Sequence, residues 1–417
     1  MIMRNQYHLM RISSPISPAC SMSSDTPILP RIPAAGLPGA SRLQSIDALR
    51  GLVILFMLID HVRETFYLHH QVPDPMDVSA TAPELFFSRL LAHLCAPVFV
   101  LLTGLSAFLY GSKYEDGRAA ASGFLFKRGL FLVLLEVTVV NFAWTFQFPP
   151  TKIFLQVIWA IGLSMLMLSA LVWLPRRLII PLGLLLVAGH NLLDHLHFAP
   201  DHALHTLWAV LHDRGWIDVS SSLRLRTSYP LLPWIGVIAL GYAMGPWFAK
   251  GADALQRQRR LLTWGLGLLV GFVLLRAANV YGDKPWVVGD SLMVSLMGFL
   301  NITKYPPSLL FLALTLGIGL LLLRAFERRP QMRWLAPLTV FGAVPMFFYV
   351  LHLYVLKFLY LGAQAIWGNN QGEVFGFDAI WMVWITTVAM GFALYPAVKA
   401  FAAFKARRRD ITWLKYL

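Results

Sequence analysis

Apolar runs about 20 residues long recur along nearly the whole 417-residue chain, and nothing constrains its folding more. A hydrocarbon layer about 30 Å thick is crossed by about 20 helical residues. Hydrophobic residues make up 57% of the chain and charged residues 13%, a balance beyond what the core of a soluble protein of this size needs. The runs predict spans centred in residues 48–66, 90–111, 128–147, 153–174, 178–193, 231–249, 261–280, 307–324, 338–361 and 379–401. The fold class expected is therefore all-α, a polytopic membrane protein with about ten transmembrane helices. The fifth run is short and ends in His190 and Asp194.

Most of the 35 basic residues fall between alternate runs: around Arg42 and Arg50, Lys113 to Arg128, Arg176 and Arg177, Lys250 to Arg260, Arg324 to Arg333, and Lys399 to Lys415. The positive-inside rule makes that side cytoplasmic, with both termini there, as an even number of spans requires. The net charge of +14 is thus a matter of topology, and nucleic acid is not an expected partner. Cys20 and Cys95 form no disulfide framework. Residues 1–40, rich in proline and serine and without a signal-peptide core, read as a disordered cytoplasmic leader. Residues 41–403 then form the transmembrane domain, and residues 404–417 a basic cytoplasmic tail.

The first run, Ser45 to Arg63, carries Arg50 near one end and Asp60-His61 near the other. Eleven helical steps bring Arg50 and His61 onto one face, roughly 16 Å apart along the axis. Polar groups at that depth are costly unless they line a cavity or pair, which makes a functional site the default reading. Asp60 points about 100° away from His61, so a partner from another helix is expected to orient the imidazole. His93 and His352 lie at comparable depth, and the three imidazoles predict a shared cavity. Glu136 and Asn141 are also deep, with a buried partner expected for each. The structural alternatives are an interfacial His61 bonded to a carbonyl, and Arg50 as a simple topological anchor. The largest outer loop, about 194–230, holds several histidines, but their spacing fits no zinc pattern. Its stretch from Ala203 to Leu211 suits a short surface helix. Ahead of Pro306-Pro307, Asn301, Lys304 and Tyr305 are candidate substrate-binding residues, Lys304 as a support for an anion or a developing oxyanion. No dominant small-residue helix-packing motif stands out, and oligomeric state is left open.

Arg50, ten intervening residues and His61, with Ile46-Asp47 before and Gly51 after, resembles the first-helix signature of the acyltransferase-3 superfamily. Ala92-His-Leu-Cys-Ala-Pro-Val-Phe-Val-Leu-Leu-Thr-Gly104 is similar to the heparan-alpha-glucosaminide N-acetyltransferase group and its bacterial relatives. Phe299 to Phe311 and Pro345 to Tyr354 resemble the bacterial branch. The resemblance implies transfer of an acyl group, usually acetyl, from cytoplasmic acetyl-CoA or another acyl-CoA to a glycan or amino-sugar acceptor across the inner membrane. It implies that Arg50 meets the CoA phosphates, and that His61 acts as general base or as nucleophile. Asp60, His93 and His352 are further catalytic candidates. At His93 the chain departs from that group, which carries an acidic residue there. The competing class is a proton-coupled small-molecule transporter, because intramembrane histidines and carboxylates also serve as relays.

Overall fold

A computed structural model describes residues 40–70, 78–408 and 410–417, with side chains from residue 44 onward. The expected leader lies outside the described residues. The helices are α1 (Ala40–Phe66), α2 (Pro83–Ala92), α3 (Cys95–Gly111), α4 (Gly117–Leu135), α5 (Asn141–Thr145), α6 (Val157–Leu171), α7 (Arg176–Gly189) and α8 (His205–Leu211). They continue with α9 (Leu232–Ala243), α10 (Ala254–Ala278), α11 (Leu292–Leu300), α12 (Leu309–Arg328), α13 (Leu335–Ala343), α14 (Pro345–Trp367) and α15 (Ile380–Arg407). Three strands, β1 (Lys152–Leu155), β2 (Gly215–Ser220) and β3 (Leu223–Thr227), complete the set.

Each predicted run holds helix, and six segments are long and apolar enough to cross a membrane: Pro83–Gly111, Arg176–Leu193, Ala254–Ala278, Leu309–Arg328, Pro345–Trp367 and Ile380–Arg407. Val157–Leu171 and Leu232–Phe248 are apolar but shorter. The outward faces are apolar too, with Leu185 66%, Leu274 63% and Phe392 78% exposed, as suits contact with lipid.

The ninth predicted run is not one helix. It breaks at Val344, and Pro345, which lacks an N–H, opens α14 at the first helical position. The all-α expectation also needs correction, because loops between the helices form a three-stranded sheet in the order β1-β3-β2. β1 runs parallel to β3, with Lys152 opposite Arg224, and β2 runs antiparallel to it. The alternation in Leu223-Arg-Leu-Arg-Thr has the period of a strand, but it falls between the membrane-length runs. Trp216 stacks under Arg224 and Arg226, 5.0 and 5.3 Å from its ring centre. The tail is ordered as well: α15 extends to Arg407, and a short 3-10 helix, Thr412–Tyr416, buries Leu414.

Single glycines close the main helix pairs. A Cβ on Gly51 of α1 would strike the backbone of Leu338 in α13, and one on Gly342 of α13 would strike Asp47. Gly104 and Gly241 meet in the same reciprocal way between α3 and α9, Gly129 and Gly162 between α4 and α6, and Gly265 and Gly317 between α10 and α12. Where lipid removes the hydrophobic drive between helices, backbone approach at small residues supplies the packing. No one motif repeats across these pairs, so which glycine meets which helix is visible only in three dimensions.

Replacing Gly51 or Gly342 with alanine should cost about 1–3 kcal/mol by overpacking, read as a lower apparent unfolding temperature in detergent. Gly267→Ala, where an added Cβ meets nothing within 4 Å, should leave that temperature unchanged. Equal behaviour of the three variants would refute the close-packing account.

Candidate active site

His61, near the end of α1, is joined to His352 of α14. His61 Nδ1 lies 2.7 Å from His352 Nε2, and the rings stack with centroids 5.0 Å apart. His352 Nδ1 stands 2.8 Å from the carbonyl oxygen of Phe348, one turn earlier on its own helix. A carbonyl only accepts, so His352 Nδ1 carries the proton and donates. In the neutral pair, His352 Nε2 is then an acceptor and His61 Nδ1 must be the donor. The chain of bonds leaves the lone pair on His61 Nε2, the form a general base or nucleophile needs. His352 is thus the orienting partner from another helix.

Asp60 turns away from His61 and belongs to an ion cluster. It accepts from Arg63 Nε at 3.0 Å and Nη2 at 2.9 Å, and Lys304 Nζ approaches its other oxygen at 3.9 Å. Glu64 adds a second carboxylate 3.4 Å from Arg63. His93 is buried within the electrostatic reach of Lys304, Arg89, Asp60 and Arg63. Its ring packs 5.3 Å from Phe311, and neither nitrogen has a hydrogen-bond partner among the described residues. No ring contact joins His93 to the other two imidazoles among the described residues, so the expected trio resolves into a bonded pair with His93 set apart.

Lys304 is held in place from behind. Arg276 of α10 donates to the carbonyls of Phe299, Gly298 and Asn301, at 2.9, 2.9 and 2.7 Å, and to that of Lys284 at 2.8 Å. A guanidinium at the C-terminal end of α11 satisfies orphan carbonyls where the helix dipole is negative. Asp283 accepts from Thr303 N and Oγ1, at 2.9 and 2.7 Å, and from Ser308 Oγ at 2.6 Å. The segment bearing Asn301, Lys304 and Tyr305 is therefore clamped at both ends. Asn301 enters this clamp through its backbone carbonyl.

A cavity of about 150 Å³ runs along one face of α1, lined there by Arg50, Ile54 and Met57. These positions lead up the same face toward His61, one turn beyond Met57. At one end the lining is basic, with Arg128, Lys405 and Lys415 beside Arg50; deeper, it includes Cys95 and Tyr349. Tyr349 links the cavity to the imidazole pair, its ring 5.9 Å from that of His61. Arg50 is held by Asp47 at 2.9 Å and by Ser106.

Tyr305 faces a second and larger space, about 700 Å³, among the loops between helices, with His197, His212, Asp213, Arg214 and Tyr281. Arg214 lies 4.5 Å from the Tyr305 ring centre, and the Tyr305 hydroxyl donates to that of Tyr229 at 3.1 Å. Neighbouring residues thus face two ways, Tyr305 to the outer space and Lys304 to Asp60. Among the described residues, no group of three or more His, Cys, Asp or Glu side chains could hold a metal ion.

Residues 42–271, more than half of the chain, match the family described as heparan-alpha-glucosaminide N-acetyltransferase, catalytic. The chain belongs to this family. No curated protein matches the chain. The matched segment carries Arg50, Asp60, His61 and His93, while His352 and Lys304 lie beyond it and are brought in by the fold. A membrane enzyme of the acetyltransferase class follows, and nothing in the match or the geometry supports the transport reading.

Several residues of this candidate site escape a linear reading. Tyr349 precedes His352 by three positions, a helical spacing that would have flagged it. Trp144, 5.2 Å from His61 by ring centres, gives no such signal. A π-helical turn, Glu136–Val140, lies just before it and shifts the register of the helix. Glu136 and Asn141 prove to be partnered by backbone: Glu136 accepts from Trp159 N at 3.2 Å at the start of α6, and Asn141 bonds Lys152 O and Phe154 N, both at 3.1 Å.

In the outer loop, His212 Nε2 faces the His190 carbonyl at 3.1 Å and Asp194 at 3.3 Å, while Nδ1 faces Asp213 at 3.3 Å. Burial alone would lower its pKa, but the hydrogen bonds to Asp194 and Asp213 outweigh burial and raise it. A raised folded value contributes stability that is fully present below the unfolded pKa and is lost as pH rises through the folded one. The outer loop should therefore resist limited proteolysis better at pH 6 than at pH 8.5, and His212→Asn should flatten this difference. An unaltered pH dependence in the variant would remove His212 as its cause.

Proposed function

We propose that the protein takes an acyl group, in the first place acetyl, from cytoplasmic acetyl-CoA and passes it to a glycan or amino-sugar hydroxyl or amine outside the inner membrane. The observation carrying this reading is the lone pair on His61 Nε2, oriented by His352 and set one helical turn beyond a cavity with a basic mouth. Arg50, Arg128, Lys405 and Lys415 suit the phosphates of CoA, since guanidinium and ammonium groups form charge-assisted bonds to phosphate oxygens. The narrow cavity along α1 suits the thin arm that carries the thioester. Tyr305 and the outer space suit a polar acceptor, with stacking and hydrogen-bonding groups arranged as sugars require.

In this mechanism, His61 Nε2 accepts the proton of the attacking hydroxyl or amine, or attacks the thioester itself. His61 Nδ1–H stays bonded to His352, which spreads the positive charge as the imidazolium forms. Asp60, with Arg63 and Lys304, keeps a compensating carboxylate near that charge and anchors the loop behind it. His93 borders the same cluster. The associated topology has ten spans and both termini in the cytoplasm, so the basic mouth opens inward and Tyr305 outward.

Purified protein in detergent should hydrolyse acetyl-CoA slowly, water taking the place of the acceptor, so that acetate and free CoA thiol are released. His61→Ala should reduce kcat by about 10²-fold or more, whereas Arg50→Ala should raise KM with kcat nearly unchanged. Full turnover by His61→Ala would overturn the reading, and an unaltered KM in Arg50→Ala would return that residue to a topological role. The topology has its own check. In cells, an impermeant thiol reagent should label Arg214→Cys from outside and leave Arg177→Cys untouched; the reverse pattern would invert the orientation.

A further inference from the structure

Two buried hydrogen-bond donors stand beside His61 with only each other for company. The Nε1–H of Trp144 and the hydroxyl of Tyr349 are buried; the indole N–H is directed at the Tyr349 oxygen, and beyond this mutual contact neither group has a hydrogen-bond partner among the described residues. Buried donors of this kind are rare and costly. They come from different elements, Trp144 from α5 after the π-helical turn and Tyr349 from α14, yet they converge closely enough to influence each other. Their rings stand edge-on to the same imidazole, Trp144 at 83° with centroids 5.2 Å apart and Tyr349 at 73° with centroids 5.9 Å apart. Tyr349 also forms part of the wall of the cavity that rises from the basic mouth.

We propose that Trp144 Nε1–H and the Tyr349 hydroxyl are the oxyanion-binding pair of the transfer reaction, an inference that rests on the acyl-transfer reading above. As the acceptor's oxygen or nitrogen bonds to the thioester carbonyl carbon, His61 Nε2 takes the proton the acceptor gives up. The carbonyl π pair moves onto oxygen, where the two donors hold it. When that pair returns, the carbon–sulfur bond breaks and the proton passes from His61 to the departing sulfur. The products are the acylated acceptor and the free CoA thiol. The same charge develops on oxygen if His61 Nε2 attacks first. Donors aimed beforehand at a developing charge, in a site shielded from water, are the most effective form of such stabilisation. Lys304, engaged by Asp60 at 3.9 Å and lying 5.1 Å from the Tyr305 ring centre, serves the acceptor side of the site instead.

Tyr349→Phe keeps the ring and removes the donor; Trp144→Phe removes the donor and leaves a smaller aromatic ring in its place. Thiol release from acetyl-CoA, binding of S-ethyl-CoA, a thioether without the carbonyl, and the apparent unfolding temperature are measured beside the wild type and His61→Ala. Each variant should lose about 10²-fold in kcat, with KM and S-ethyl-CoA affinity within about threefold of wild type by the same logic of differential binding. The unfolding temperature should hold, because each removed donor forfeits only its contact with the other. A kcat within threefold of wild type would overturn the inference, as would a fall in kcat accompanied by equal loss of S-ethyl-CoA binding and of stability. Absence of thiol release from the wild type, or full activity in His61→Ala, would instead defeat the acyl-transfer reading itself.

Discussion

A polar side chain inside a hydrocarbon-length helix must be satisfied within the protein, because lipid offers it neither water nor a counter-ion. That requirement orders this molecule. Arg63, Asp60, Glu64 and Lys304 neutralise one another. Arg257 of α10 pairs with Glu327 of α12, each side chain largely buried, and Glu136 finds the backbone at the start of α6. His61 and His352 satisfy each other and then a carbonyl, without a carboxylate in the chain of bonds. Each of these solutions ties two elements together, so the cost of a buried polar group is repaid as a fixed helix position.

The geometry of the candidate site follows from those ties. α1 is held along its N-terminal half by backbone contact with α13, through Gly51 and Gly342, and near its C-terminal end by the bond to α14. Arg50 and His61 are thereby fixed at the two ends of one face. The break at Val344 is what allows this division of labour, since α13 and α14 diverge and address different stretches of the same helix.

Much of this was legible in the chain. The runs of apolar residues locate the helices, and the spacing from Arg50 to His61 predicts a shared face because helical periodicity depends on backbone geometry alone. The 100° offset of Asp60 likewise predicts that an imidazole partner comes from elsewhere. Depth along a span suggested His93 and His352 equally, however, and depth says nothing about azimuth, which decides that only His352 reaches His61. β1 went unseen because it pairs with β3 across some 70 residues of intervening chain, and the β2–β3 hairpin because it falls between the membrane-length runs. Trp144 went unseen because the π-helical turn alters which residues share a face. The reciprocal glycines went unseen because no single helix carries both halves of a contact.

The clamp formed by Arg276 has a consequence for how variants of this enzyme are interpreted. One guanidinium gathers four backbone carbonyls and so sets the position of a loop whose lysine completes the charge balance beside the imidazoles. A lesion there would mimic damage to the reactive groups while touching none of them. Loss of turnover is consequently a poor guide to which residues meet substrate, and the wall that holds a loop has to be counted as part of the catalyst.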